Sequence, residues 1–194
     1  MLLSDSARAH APDVPMAEAS PIATTVRAFQ CASDGDDQYG FLWQTFYTVV
    51  DRLLEEFWSE WATIPYPILS MDFDREEMLG WFEPYDCIGL PCRLNINPQK
   101  LKNGLEAAEV IAHELLHVWE WYLAEMGTEN NVHTEFFKDQ MWEIYGINVE
   151  IPSGRHFGND GRWDEWLSRN TDLHLDKILF PGNVPVLRDY KFPH

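Results

Sequence analysis

An α+β fold follows from three stretches of the 194-residue chain. Residues 41–61 repeat apolar side chains at the 3.6-residue period of a helix, residues 66–98 break into short, partly alternating runs divided by Pro, Gly and Asp, and residues 105–146 return to helical spacing. The order predicted is a long helix, a small sheet, then two further helices. By length the chain holds one domain. Hydrophobic residues make up 45% and aromatics 14%, enough apolar surface to fold in spite of the charge.

Residues 1–38 are rich in Ala, Pro, Ser and Asp without lasting periodicity, which predicts a disordered acidic leader. Leu42, Phe46, Val49, Val50, Leu53, Leu54, Phe57, Trp58 and Trp61 then fall on one face of an amphipathic helix that "TIPYP" must end. The runs "YPILSMDF", "MLGWFEP" and "CRLNINP" read as strands. In the last, Leu94 and Ile96 alternate with Arg93, Asn95 and Asn97, the pattern of a half-buried strand. Val110, Ile111, Leu115, Val118 and Tyr122 share one face of a helix over 105–126, with Gly127 as its stop. A second helix starts near Asn131 or His133 and runs through Phe137 and Met141 to Gly146. Residues 151–194 form an extension packed on or near a domain of residues 39–150. In it "SGRHFGNDGRW" reads as loop and "WDEWLSRN" as a short helix.

Fourteen Lys and Arg against 32 Asp and Glu give a net charge of -18, which repels phosphate backbones. The stretch 105–150 is the most acidic, and only 151–194 is balanced. There Arg155, Arg162, Arg169, Lys177, Arg188 and Lys191 are the cations that would meet DNA, but six interspersed acids favour a solvated surface, so DNA is a disfavoured partner. Three cysteines (Cys31, Cys87 and Cys92) show no framework spacing and suit a reducing compartment, with a Cys87–Cys92 bridge left open. With no apolar run approaching a membrane span and no secretory leader pattern, the expectation is a cytoplasmic chain with no membrane partner.

The chemistry concentrates in "AHELLHVWE", residues 112–120. His113 and His117 are four apart, so on a helix both imidazoles rise from one face and can converge on one ion. Glu114, beside the first histidine, projects to one side, where it can serve as a base toward an attacking water instead of a ligand. Catalytic zinc needs a third protein ligand and one open position. A third histidine six residues after His117 is excluded, because that position is Leu123. His133 is the next histidine, where a turn would bring the following helix back over the metal; Glu135 is its main rival, and Glu129 also competes.

At these residues the chain resembles the SprT-like, or Spartan-type, zinc metalloproteases. "EVIAHELLHVWEW" followed by "VHTEFFKDQMWEIYGI" is similar to that family's active-site helix and its following His-x-x-x-Phe helix, and "LGWFEPYDCIGLPCRLNINP" to its small hairpin. The resemblance covers about residues 40–148. It implies a zincin-like core, zinc on His113, His117 and His133, Glu114 as catalytic base, and a protein substrate, in some members a protein associated with or crosslinked to DNA. Two departures stand out. Thr134 occupies the place where the family often has Gly after its third histidine, and no cysteine follows Cys92, so the C-terminal zinc ribbon of many members is missing.

Tyr145, His156 and Arg155 are candidates for an oxyanion donor. Trp119, Trp121, Trp142, Trp163 and Trp166 have spacings that suit either a cleft lining or, more commonly, a core. The competing functional class is a non-catalytic zinc-containing interaction module, or an adaptor of a DNA-processing complex. Glu114 argues against it, since a structural site needs no base beside its ligand.

Overall fold

The structure, a computed structural model, describes residues 21–32, 38–58, 66–71, 77–84, 91–122, 133–180 and 186–187. Helix α1 spans Pro21–Cys31 and α2 spans Gln38–Phe57; strands β1 (Ile68–Met71), β2 (Gly80–Glu83) and β3 (Arg93–Ile96) follow. Then come α3 (Gly104–Tyr122), α4 (Glu135–Tyr145), the pair β4 (Ile147–Glu150) and β5 (Arg155–Asn159), α5 (Arg162–Arg169), two 3-10 turns, and the short strands β6 (Ile178–Leu179) and β7 (Val186–Leu187). The α+β class is as the sequence predicts. Among the described residues no helix is long and apolar enough to cross a membrane.

The main sheet has the order β1-β3-β2, with β1 parallel and β2 antiparallel to β3. Because β3 lies in the middle, Asn95 is covered along with Leu94 and Ile96, as is Asn97 just past its end, and the half-buried strand expected from alternation is buried on both faces. Asn95 answers this by donating its side-chain amide to the Trp81 carbonyl at 3.4 Å.

Helix α3 packs against β2, β3 and α2, and it too is more enclosed than an amphipathic stripe suggests. Ala107, Ala108, Val110, Ile111, Ala112, Leu115, Leu116 and Val118 are buried together with His113, Glu114, His117 and Glu120. Its approach to the sheet depends on Gly80, where a Cβ would stand 2.4 Å from Val110 and 3.2 Å from Glu114. The stripe on α2 (Leu42, Phe46, Val49, Val50, Leu53 and Leu54) fills the core as expected, while Trp61 lies outside the described residues.

Two departures have physical causes. Residues 21–31 are helical and not part of a disordered leader; residues 1–20 lie outside the described residues. Of α1 only Ala23 is buried, and the helix is held by polar groups instead. Arg27 pairs with Asp51 at 2.6 Å and stacks over Tyr47 and Tyr66, while Gln30 accepts from the Tyr47 hydroxyl at 2.6 Å and donates to the Leu69 carbonyl. Second, "RHFGN", taken for loop, forms β5 and pairs with β4, so a hairpin crosses the boundary placed at residue 150. The tryptophans take the commoner of their two expected places, the core, and none of the described ones lines the cleft: Trp163 and Trp166 stack at 4.9 Å with Trp163 against Tyr145, Trp119 packs on Trp58 and Phe136, and Trp121 meets Phe82, while Trp142 is exposed.

Thr134 explains the departure from glycine after His133. Its extended backbone and side-chain oxygen cap α4, accepting from the Phe137 amide at 3.2 Å, while Gly146 at φ 71° ends the helix in the left-handed region. Thr134→Ala is expected to lower unfolding stability by about 1 kcal/mol and Thr134→Gly by only a few tenths; urea denaturation of the two variants checks this order.

Candidate metal centre

Helix α3 presents His113 and His117 one turn apart, and His133, two residues before α4, lies beside them. The Nε2 of His133 lies 2.8 Å from that of His113 and 3.4 Å from that of His117. These three histidines form a group able to hold a metal ion, their ligand atoms all within 4.8 Å of one another. Phe137, fully buried one turn into α4, is the floor beneath them: its ring stacks on His117 at 4.4 Å and meets those of His113 and His133 at 4.7 and 5.1 Å. The His-x-x-x-Phe spacing thus places ligand and floor on one face of the chain.

What lies behind each ring decides which nitrogen faces the centre. His133 Nδ1 is 2.9 Å from the carbonyl oxygen of Pro152, which only accepts, so Nδ1 carries the proton and Nε2 the lone pair. His117 Nδ1 is 3.2 Å from the Glu120 carboxylate, with the same consequence. Two lone pairs therefore face each other at 3.4 Å inside a largely buried cluster. That arrangement is repulsive by itself and becomes favourable when a cation sits between the nitrogens. Burial also holds the His113 pKa well below its ordinary value and brings that of His133 down to about 4, which keeps both rings in the neutral form that ligates. Three neutral imidazoles are a donor set that suits zinc and leaves a position open.

Glu114 is buried, and its Oε2 has no hydrogen-bond partner among the described residues. Burial pushes its pKa up to about 8, against a smaller opposing effect of the Phe82 backbone. A divalent ion among the three nitrogens would favour the carboxylate, so Glu114 fits a metal site better than it fits the bare protein. The histidines and Glu114 open on a cleft of about 600 Å³, also lined by Met78, Leu79, Gly80, Pro152, Gly154 and Arg155.

Of the rival ligands, Glu135 is exposed and paired with Lys138 at 3.3 Å, away from the cluster, and Glu129 lies outside the described residues. Of the oxyanion candidates, Tyr145 is fully buried and accepts from the Trp58 indole at 2.6 Å, so it does not reach the cleft. His156 has its Nε2 3.0 Å from His113 Nδ1, behind a ligand. Arg155 alone of the three reaches the cleft without standing behind a ligand. Cys92 is a buried thiol whose pKa burial pushes up to about 12, and Cys87 lies outside the described residues.

The sequence reading missed Glu120, Pro152 and Gly154. Glu120, three residues after His117, was findable from helical spacing. Pro152 and Gly154 carry no such signal. Gly154, at φ 69°, lies so close to His133 that a Cβ would stand 2.2 Å from the ring, and only the folded β4–β5 turn reveals that approach.

No protein family, curated protein or solved structure matches this chain. The reading of the site therefore stands on its geometry.

The purified chain is expected to bind one zinc ion, and zinc at a hundredfold its Kd to add about 2.7 kcal/mol of stability. His117→Ala and His133→Ala should lose stoichiometric zinc, whereas Glu114→Gln keeps it; metal analysis after gel filtration reads the difference.

Proposed function

We propose that the chain is a zinc-dependent metalloendopeptidase of the SprT-like type, with zinc on His113, His117 and His133 and with Glu114 as general base. The observation that carries this reading is the buried Glu114, whose Oε2 has no hydrogen-bond partner among the described residues, beside three converging imidazole nitrogens at the wall of an open cleft. A purely structural zinc site closes its fourth position with a ligand and has no use for such a group.

When bound, the ion supplies Lewis acidity, polarising a carbonyl and making water a stronger acid. The protein's own groups do the rest. His117 and His133 are held in the ligating tautomer by Glu120 and the Pro152 carbonyl, so the nitrogens need no reorganisation. Glu114 accepts the proton of the attacking water on its free oxygen and returns it to the leaving amine. Arg155, which lines the cleft, is the candidate donor to charge developing on the carbonyl oxygen.

The substrate is a protein. DNA-associated proteins are the narrower reading that the family resemblance suggests, and the charge weighs against direct DNA contact. Among the cations of the balanced C-terminal stretch, Arg162 donates to the Glu143 and Trp142 carbonyls and Arg169 pairs with Glu56, so neither is spare.

Cleavage of an unstructured protein by the zinc-loaded chain should fall by roughly 10²- to 10⁴-fold in Glu114→Gln while zinc stays bound, the range expected for loss of a general base. Equal cleavage by both removes Glu114 from the chemistry. Silence from both with zinc retained favours a non-catalytic interaction module, and stimulation by single-stranded DNA would favour the narrower substrate class.

A further inference from the structure

His113 differs from its two fellow ligands in what stands behind it. Its Nδ1 meets neither a carbonyl nor a carboxylate but the Nε2 of another imidazole, that of His156 on β5, at 3.0 Å. Such a contact does not fix a tautomer, because either ring can donate. The next residue along resolves it. His156 Nδ1 lies 3.3 Å from Oε2 of Glu109, and a carboxylate only accepts, so His156 carries its proton on Nδ1 and offers the Nε2 lone pair. His113 must then donate from Nδ1, and its own Nε2 lone pair turns toward His133 and the centre.

We propose that Glu109 and His156 are positioning residues that act in series to fix His113 in its ligating tautomer and ring orientation. The proposal rests on the reading of His113, His117 and His133 as a metal centre. Its parts come from separate places in the chain. Glu109 stands one helical turn before His113 on α3, and His156 is delivered by the β4–β5 hairpin, whose turn also supplies the Pro152 carbonyl to His133. One hairpin therefore orients two of the three ligands. His156 is mostly covered, with 16% of its side chain accessible, and Glu109 keeps 32%, so the carboxylate end of the series is the part that tolerates substitution.

The test is zinc affinity by chelator competition, together with the visible spectrum of the cobalt(II) form, on the full chain. His156→Ala should weaken binding by roughly ten- to a hundredfold and alter the cobalt spectrum. His156→Gln should recover most of the loss, since its amide oxygen can accept from His113 Nδ1. Glu109→Gln should weaken binding less, because an amide can donate as well as accept, and it should add nothing in the His156→Ala background if the two act in series. Wild-type affinity and spectrum in both single variants, or independent additive losses, would overturn the proposal. Imidazole ¹⁵N shifts of the metal-free wild type give a reading that needs no variant: a proton on His113 Nδ1 supports the proposal and one on Nε2 overturns it. Absence of stoichiometric metal binding by the wild type would overturn the metal centre itself.

Discussion

Three imidazole nitrogens held face to face in a largely buried setting are the constraint around which this protein is arranged. Like lone pairs at 2.8 and 3.4 Å repel, and every ring has its other nitrogen occupied from behind, so none can turn away without breaking that second contact. The fold must keep these rings converged while leaving one side open to the cleft. It does so with rigid parts. The α3 helix fixes two histidines by spacing alone, Phe137 sets the height of all three rings, and the cap at Thr134 fixes where α4 begins and hence where His133 stands.

The remaining elements follow from that need. Because α3 carries polar groups into the interior, it must be surrounded, and α2, the sheet and the C-terminal turns cover it where an ordinary amphipathic helix would face water. Gly80 lets the sheet come close enough to close over Glu114, and the same closeness removes Glu114 from solvent. The unpartnered Glu114 Oε2 is thus a product of tight packing. A buried oxygen without a partner costs stability.

The sequence carried the parts of the site that obey a helical period. His113, Glu114 and His117 were legible because four residues make one turn, and the position of His133 was legible from the chain reversal that a following helix requires. The β4–β5 hairpin was not legible. Residues 155–159 have little apolar alternation and are mostly exposed, so the period-2 signal is absent, and their role lies in backbone and ring contacts to residues some 20 to 45 positions earlier. The α1 helix was hidden for a related reason: its anchors are the Arg27–Asp51 pair and the Gln30 contacts, which hydrophobic periodicity does not register. The burial of Asn95 in β3 likewise reflects a central position in the sheet that alternation alone does not give.

The most direct test of the central claim is zinc K-edge X-ray absorption of the purified, zinc-loaded chain. Three imidazole nitrogens at about 2.0 Å, with the multiple-scattering signature of histidine and a remaining light-atom position, are the result this account predicts. A sulfur shell, or only two imidazoles with a carboxylate in place of His133, would contradict it.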